Sequence, residues 1–211
     1  MKLILIRHGE TDWVREGRYQ GSTDVPLNRC GRAQARSVAR LIKKERPTAV
    51  YSSELTRAVE TANLIARACR RRVVRDSRLN EVSFGDWEGR SHKEIRAQFP
   101  KAVRAWYSAR WSSRAPGGET LRSLKQRVTG FLNELCDRFL TRQGTCVVVS
   151  HGGPIRMILV SLLGTGIDAF WKIRIDPASV SIATVDRKYR ELILANGGAH
   201  FNGRGLGSGF G

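Results

Sequence analysis

The sequence predicts an α/β fold, a three-layer α/β/α sandwich around a mainly parallel sheet with an antiparallel edge. Two observations lead to this prediction. Short apolar runs, typical of buried strands, alternate along the chain with amphipathic segments of helical period. Near the end, residues 178–186 alternate imperfectly between apolar and polar side chains and pair naturally with residues 189–194 as a hairpin, which supplies the antiparallel edge.

The first half of the chain contains three predicted strands and two predicted helices. The strands are residues 3–6, 49–51 and 73–74, and the helices are residues 28–44 and 55–69. The first of these helices begins at Asn28, a residue type whose side chain caps helix N-termini well.

The second half has stronger helical patterns. Ser91 and Glu94 have the spacing of a capping box, which marks a helix start. Apolar residues recur every three or four positions over residues 120–141, which predicts a long amphipathic helix. The most hydrophobic strand, residues 146–149, leads into a further helix for which Gly164 is the stop.

The chain is predicted to form one domain over residues 1–196. This domain contains a small helical lid insertion at about residues 90–118. The remaining residues, 197–211, are rich in glycine, and we expect a mobile tail there.

The net charge is unusual. Thirty-seven Lys and Arg residues against 19 Asp and Glu residues give a formal charge of +18. Such a field attracts anions, including phosphorylated metabolites and nucleic acid, but it does not determine a fold. The arginine-rich run at residues 67–78 is interpreted as a solvated helix end whose cations suit the helix dipole, rather than as a nucleic-acid site.

Composition also bears on location and cofactors. No stretch approaches the roughly 20 apolar residues of a membrane span, and the apolar run at residues 3–6 is too short for a signal peptide. The four cysteines are scattered, which argues against a disulfide framework and against structural zinc. We therefore predict a cytoplasmic protein with no membrane partner and no metal.

Chemically distinctive residues follow three predicted strands. The first strand ends in Arg7-His8-Gly9, the second is followed by Arg57 at a helix start, and the strand at 146–149 ends in Ser-His151-Gly152-Gly. Ligands of open α/β sheets bind outside the carboxyl ends of the strands. If these strands are neighbours, two arginines and two histidines meet there and form a site for a dianion.

This set of residues suits phosphoryl transfer. Guanidinium groups stabilise the charge on the phosphoryl oxygens, and a neutral imidazole is a nucleophile when a backbone acceptor holds its other nitrogen protonated. The leaving group also needs a general acid. Glu81 is a candidate, because a neighbouring phosphate dianion raises a carboxyl pKa, but Asp86 and Glu88 are equally placed by the residues alone.

Five motifs together resemble the histidine phosphatase superfamily, in its phosphoglycerate-mutase-like branch. They are RHGET at 7–11, GRYQGSTDVPLN at 17–28, SSELTRAVETA at 52–62, LNEVSFGDWEG at 79–89 and SHGGPIR at 150–156. The resemblance implies an α/β/α sandwich without a metal, with His8 as the phosphorylated nucleophile and Glu81 as the proton donor. Further phosphate contacts are implied for a set of five residues: Arg7, Gln20, Arg57, His151 and Gly152.

The chain departs from the family pattern at two positions. Val14 stands where the family often has an asparagine that helps hold the phosphate, so this loop is expected to bind phosphate less tightly. Asn28 replaces the usual Ser or Thr, which is a conservative change for an N-cap.

The insertion bears on substrate choice. Packing against the sheet is the first interpretation for three of its aromatic residues, and contact with an apolar part of the substrate or stacking on single-stranded nucleic acid are the alternatives: Trp106, Tyr107 and Trp111. Three of its arginines are candidates for contact with a carboxylate: Arg104, Arg110 and Arg114. The insertion is short, which leaves access for water and favours hydrolysis over transfer.

The predicted function is therefore a metal-independent phosphomonoester hydrolase that acts on a small phosphorylated metabolite. The Gly-Gly-Glu motif at 117–119 and the segment Asn-Gly-Gly-Ala-His at 196–200 are similar to those of the α-ribazole phosphatase and metal-independent phosphoserine phosphatase subgroups. Phosphoglycerate mutase is the alternative, and a non-catalytic anion- or nucleic-acid-binding protein is a third hypothesis from another class. The physiological substrate, a homodimer and the role of His200 stay open at this point.

Overall fold

A computed structural model describes residues 1–139, 144–186 and 188–198. Six strands form one sheet in the order β3-β2-β4-β1-β5-β6. The strands are β1 (Lys2–Arg7), β2 (Ala49–Ser52), β3 (Val73–Arg75), β4 (Thr145–Ser150), β5 (Val180–Val185) and β6 (Arg190–Gly197). Neighbours from β3 to β1 pair in parallel, whereas β5 pairs antiparallel with both β1 and β6. The predicted mainly parallel sheet with an antiparallel edge is confirmed.

Helices cover both faces of this sheet. They are α1 (Asp12–Arg15), α2 (Arg29–Lys43), α3 (Thr56–Cys69), α4 (His92–Gln98), α5 (Pro100–Tyr107), α6 (Leu121–Phe139) and α7 (Gly152–Leu163). The side chains of β1 alternate between the faces, because successive residues of a strand point to opposite sides. Ile4 and Ile6 pack in the core with α2 and α3, while Leu3 and Leu5 pack with α6 and α7. The result is the predicted three-layer sandwich.

Local sequence features explain where these helices begin and end. The Asn28 side chain accepts a hydrogen bond from the Gly31 amide and caps α2. The capping box of Ser91 and Glu94 is present at the start of α4. Helix α7 ends before Gly164, which takes the left-handed conformation expected of a stop residue. These three predictions are confirmed.

The insertion lies on the α6 and α7 side of the sheet. Helix α5 begins at Pro100, a residue favoured in a first helical turn, and buries Val103 and Trp106 on one face. The Trp106 ring packs edge-on against Phe84 and Trp87, at centroid distances of 5.5 and 6.3 Å. The insertion thus shares the apolar core of the domain and extends it beyond the sheet.

Other features were not predicted or lie outside the described residues. The short helix α1 and the helix α5 were not anticipated from the sequence. The tail predicted at 197–211 falls outside the described residues from 199 onward, as does His200. Among the helices in the described part of the chain, none offers an apolar stretch sufficient to cross a bilayer.

Candidate active site

Three neighbouring strands bring the predicted residues to one edge of the sheet. Strands β2, β4 and β1 are adjacent and parallel, so their carboxyl ends meet. Arg7 of β1 is in register with Ser150 of β4, and the backbone amide of His8 donates to the Ser150 carbonyl at 2.9 Å. Five residues converge there, and we call them the floor: Arg7, His8, Arg57, Glu81 and His151.

The imidazole of His8 is buried and held by its own backbone. Its Nδ1 lies 2.7 Å from the Gly9 carbonyl oxygen, and because a carbonyl only accepts, Nδ1 carries the proton and donates it. The Nε2 lone pair therefore remains available. Burial, together with the charges of Arg57 and Arg7, holds the His8 pKa well below its usual value, although the bond to Gly9 opposes the shift. His8 is a neutral imidazole at neutral pH.

The second histidine is fixed from both sides. Arg57 Nε donates to Nδ1 of His151 at 3.2 Å, so the proton of the neutral ring resides on Nε2, which donates to Ser53 Oγ at 2.7 Å. The rings of His8 and His151 have centroids 5.0 Å apart. Burial first, and then the charge of Arg57, hold the His151 pKa well below its usual value.

Arg57 joins the floor to the loop that precedes α2. It lies in the first turn of α3, fully buried, and its terminal nitrogens donate to the carbonyls of Gly21 and Thr23 at 2.7 and 2.8 Å. Burial lowers its pKa to about 10, and the nearby carboxylate of Glu81 opposes that shift. The guanidinium therefore stays charged at neutral pH and adds positive charge beside both histidines.

Arg7 has an unused donor. Its NH1 group donates to the Ile175 carbonyl at 2.7 Å, but the buried Nε atom has no hydrogen-bond partner among the described residues. Burial is the main cause that lowers the Arg7 pKa. A buried N–H group without a partner costs free energy, so this position favours a ligand that accepts a hydrogen bond.

The structure distinguishes the three candidate acids. Glu81 Oε1 accepts from the backbone amides of Val82 and Gly153 at 2.9 and 3.1 Å, and its carboxyl lines a cavity above the floor. Glu88 instead stabilises the loop before α2. Its carboxylate oxygens accept hydrogen bonds from the amide and the hydroxyl of both Ser22 and Thr23. Asp86 is absent from the cavity lining.

The electrostatics of Glu88 agree with a structural role. Burial raises its carboxyl pKa, but hydrogen bonds from Thr23, Ser22 and Phe84 outweigh burial and lower the pKa below its usual value. A carboxyl held ionised in this way is a poor proton donor. The geometry therefore favours Glu81, which the residues alone did not separate from its neighbours.

The cavity has a volume of about 240 Å³. Its lining includes Arg7 and Glu81 of the floor, together with Gln20, Gly152 and Val14, whereas His8, Arg57 and His151 are buried beneath it. Six aromatic residues form its sides, and we call them the aromatic wall: Tyr19, Phe84, Trp106, Tyr107, Phe170 and Trp171. Gln20 is held by a hydrogen bond from the Thr11 hydroxyl to its amide oxygen at 2.7 Å.

The residues named in the insertion lie in different surroundings. Trp106 and Tyr107 line the cavity, but Trp111 packs against the core, where Lys125 Nζ lies 4.6 Å from its ring centroid. The three arginines named as candidates for a carboxylate contact are absent from the lining of this cavity and surround a separate depression: Arg104, Arg110 and Arg114. Arg104 lies on a different face of α5 from the buried pair Val103 and Trp106, and the other two arginines follow the end of that helix.

Sequence reasoning missed three residues. Arg156, one turn into α7, lines the cavity. Ser53 holds His151, and the Thr61 hydroxyl accepts from the Gly9 amide at 3.2 Å and donates to the Arg57 carbonyl at 2.8 Å. The helical spacing was the available indication, because Arg156 and Thr61 each follow a site residue by four positions and so share its helix face.

Over 1–139, 144–186 and 188–198, no three His, Cys, Asp or Glu side chains are grouped so that they could hold a metal ion.

Comparison with known proteins identifies the family. The model of the histidine phosphatase superfamily (branch 1) matches residues 3–197. The chain belongs to this superfamily. Phosphoserine phosphatase 1 of Hydrogenobacter thermophilus is 36% identical over 196 residues, which are 93% of this chain and 92% of that protein.

Two further relatives support the assignment. Adenosylcobalamin/alpha-ribazole phosphatase of Escherichia coli K12 is 32% identical over 197 residues, 93% of this histidine phosphatase and 96% of the relative. The solved structure of a mycobacterial glucosyl-3-phosphoglycerate phosphatase complexed with VO3 has a TM-score of 0.86 at 28% identity, and the match covers 93% of this chain and 99% of that one. The predicted family, fold and enzyme class are confirmed.

Proposed function

We propose that this histidine phosphatase hydrolyses phosphomonoesters of small metabolites through a phosphohistidine on His8, without a metal ion. The observation that carries the proposal is the state of His8, a neutral imidazole whose Nδ1 proton is held by the Gly9 carbonyl at 2.7 Å. Its free Nε2 lies in a pocket made positive by Arg7 and Arg57. A nucleophile prepared in this way beside guanidinium groups suits attack on phosphorus.

The phosphoryl group is bound by donors without other partners. Arg7 Nε has no acceptor among the described residues, and the amide of Gly152 belongs to the first turn of α7, where helical amides have no intrahelical acceptor. The Gln20 amide oxygen is engaged by Thr11, so its NH2 group is the end available to a phosphoryl oxygen. Arg57 keeps one further N–H group on each terminal nitrogen and adds positive charge beneath the phosphoryl group. Both ring nitrogens of His151 are engaged, so His151 would contact phosphate only by exchanging its bond to Ser53.

The reaction then has two balanced steps. His8 Nε2 attacks phosphorus while the bond to the ester oxygen breaks, and the leaving oxygen takes a proton from Glu81. Water next gives a proton to Glu81 and attacks phosphorus, which breaks the N–P bond and releases phosphate. The Glu81 carboxyl lines the cavity above the floor, where the leaving oxygen of a bound ester would lie.

Water access favours hydrolysis over transfer to a second substrate. The lid assigned to residues 90–118 consists of the short helices α4 and α5 and the segment that leads to α6. Both curated relatives described above carry phosphatase names. We place the enzyme in the cytoplasm, where small phosphorylated metabolites occur and where its four free cysteines would stay reduced.

The test is phosphate release in the presence of EDTA. The wild type is expected to hydrolyse p-nitrophenyl phosphate and at least one of phosphoserine and α-ribazole phosphate, and His8→Ala is expected to be inactive. His92→Ala is the matched control, because His92 is an exposed imidazole outside the floor. Acid-labile, base-stable phosphate trapped on the wild type and absent from His8→Ala would support the intermediate.

Two results would contradict the proposal. One is no phosphate release from any of these esters by folded protein. The other is interconversion of 2- and 3-phosphoglycerate faster than hydrolysis, which would identify a mutase instead.

A further inference from the structure

Arg156 is a positive group at the cavity for which the proposed reaction has no use. We propose that Arg156 binds a carboxylate on the leaving group of the substrate, so that the enzyme prefers phosphorylated hydroxy acids and amino acids to esters of simple alcohols. This inference rests on the proposed phosphatase function and specifies its substrate class.

The position of Arg156 is set by the start of α7. Residues 152 and 156 are four apart on one helix, so they share a face. Gly152 has no side chain, and a Cβ atom placed there would lie 3.3 Å from Arg156 NH1. The guanidinium therefore occupies space that the glycine leaves open, and Nε is anchored by donating to the Ile173 carbonyl at 2.8 Å.

The guanidinium of Arg156 forms no ion pair with the described residues, although the charge of Glu81 is near enough to oppose the lowering of its pKa. Among the described residues, no carboxylate oxygen lies within the 4.0 Å of an ion pair with Arg156. The aromatic wall is its neighbour instead, with the ring centroids of Trp171 and Phe170 at 5.3 and 5.9 Å. Burial lowers the Arg156 pKa. A half-buried cation that forms no ion pair favours an incoming anion.

Arg156 differs from Arg18, another arginine that lines the cavity, because Arg18 already forms an ion pair. Arg18 also lines the cavity, but its Nε pairs with Glu16 at 2.9 Å and its NH1 donates to the Gly89 carbonyl at 2.7 Å. Its positive charge is therefore already compensated. Arg156 is the better candidate to contact the substrate.

The location points to the leaving group rather than to the phosphoryl group. Glu81 Oε2 and Arg156 NH1 both lie within 4 Å of the place that a Cβ on Gly152 would take. Because Glu81 is the proposed proton donor to the leaving oxygen, Arg156 lies next to the substituents of that oxygen. A planar fork binds a carboxylate through two parallel hydrogen bonds.

The cavity volume agrees with a small acid. Pockets for drug-sized ligands have volumes of roughly 300–1,000 Å³. The cavity here is smaller, at about 240 Å³, and it fits a leaving group of a few carbon atoms. O-phosphoserine and 3-phosphoglycerate are members of the class, and they serve as probes.

Matched esters test the inference directly. O-phosphoethanolamine is O-phosphoserine with the carboxylate replaced by hydrogen, and glycerol 3-phosphate is 3-phosphoglycerate with the carboxylate replaced by a hydroxymethyl group. We expect the wild type to have a kcat/KM at least about 10-fold higher for the carboxylate member of each pair, since a hydrogen bond to a charged group contributes about 1.5–3 kcal/mol.

Variants of Arg156 supply the second measurement. Arg156→Gln is expected to lower kcat/KM for phosphoserine about 30-fold and that for phosphoethanolamine less than about threefold. Arg156→Lys, which keeps the charge but loses the fork, is expected to be intermediate. Arg104→Gln is the control, because Arg104 lies on the separate depression, and both esters should be unaffected.

The outcomes separate the two proposals. This inference alone would be overturned if the wild-type kcat/KM for phosphoserine were no higher than that for phosphoethanolamine. It would also be overturned if Arg156→Gln and Arg156→Lys lowered kcat/KM equally for both esters. Absence of phosphate release from every ester by the wild type would overturn the proposed function and this inference with it. The wild-type ratio needs no variant, so the test holds even if a substitution prevents folding.

Discussion

The floor and the aromatic wall face the same cavity but are built in different ways. Most floor residues lie at strand ends or in the turn that follows, and three of them are fully or almost fully buried: His8, Arg57 and His151. The wall comes from four separate segments, and Tyr107 in it is 44% exposed. The floor is thus fixed largely by the sheet, whereas the wall depends on contacts between the insertion and separate segments outside the sheet.

This difference indicates which part of the molecule determines the chemical step and which determines substrate preference. Buried side chains joined by hydrogen bonds, such as His8, Arg57 and His151, tolerate little displacement, so the floor suits a reaction that needs aligned groups. The wall is held mainly by ring contacts, such as the 5.0 Å centroid distance between Tyr107 and Trp171. Changes in the floor should therefore affect kcat, and changes in the wall should affect KM.

The largest effect is expected at Glu81. Glu81→Gln removes the proposed proton donor, so kcat for an alkyl phosphate such as phosphoserine should fall about 10³-fold. The loss should be much smaller for p-nitrophenyl phosphate, whose leaving group needs little protonation. Steady-state kinetics with both esters measures the difference.

Glu88→Gln is the matched control for that change. It removes a carboxylate that accepts from Ser22 and Thr23, so it should lower the free energy of unfolding by about 1–3 kcal/mol, with a modest change in kcat. A loss of kcat in Glu88→Gln that depends on the leaving group in the same way would contradict the assignment of Glu81.

A smaller effect is expected at Gly153. A Cβ atom there would lie 2.5 Å from Glu81 Oε1, so Gly153→Ala must displace the carboxyl group from its bond with the Gly153 amide. Misplacement of a reacting group by an ångström costs up to about 10²-fold. We expect kcat to fall about 10- to 100-fold, as measured with phosphoserine.

Two comparisons sharpen this prediction. Gly130→Ala, in α6 with open space around the site of the new Cβ, should leave kcat unchanged and stabilise the protein by about 1 kcal/mol. When Gly153→Ala is added to Glu81→Gln, kcat should fall little further, because the proton donor that the new Cβ would displace is already absent. Full additivity of the two losses would count against the explanation.

The charge state of the floor predicts a dependence of stability on pH. The pKa values of His8 and His151 are lowered in the folded protein, mainly by burial. The unfolded chain takes up protons as the pH falls below about 6.5, whereas the folded protein does not. The contribution of the two neutral histidines to the free energy of unfolding is therefore fully present above about pH 6.5. As the pH falls below that value, the free energy of unfolding decreases by at most about 1.4 kcal/mol per pH unit for each histidine.

Urea unfolding at pH 7.5 and 5.5 measures this dependence. In His8→Asn, the free energy of unfolding should decrease less between pH 7.5 and 5.5 than in the wild type. In His92→Asn, at an exposed imidazole, the decrease should be close to that of the wild type. Equal stability of the wild type at the two pH values would contradict the interpretation of the floor as neutral histidines.

The same contrast explains how much the sequence could predict. His8 and His151 follow apolar strand runs, and parallel strand ends meet at one edge, so local pattern was sufficient for them. Glu81 could not be separated from Glu88 by pattern, because the decision depends on which backbone amides each carboxyl meets. Those amides belong to Gly153 for Glu81 and to Ser22 and Thr23 for Glu88.

The wall and its surroundings were harder to predict. The side of α5 that faces the cavity depends on tertiary burial of Trp106, which the sequence of an amphipathic insertion does not reveal. For this reason Arg104 was named as a candidate for a carboxylate contact, although it is absent from the lining of the cavity. Arg156 was overlooked because it lies inside a helix rather than at a strand end, although its spacing from Gly152 indicated a shared face.

The smallest effect is expected in the wall itself. The hydroxyl groups of Tyr19 and Tyr107 lie 2.8 Å apart and join the loop before α2 to the insertion. Tyr107→Phe removes this hydrogen bond, which is worth about 1 kcal/mol, so KM for phosphoserine should rise by no more than about fivefold while kcat is unchanged. Tyr189→Phe, at a tyrosine 56% exposed on the far hairpin, is the control and should change neither. A fall in kcat without a change in KM would show that the wall aligns the reacting groups, and the division between floor and wall would then fail.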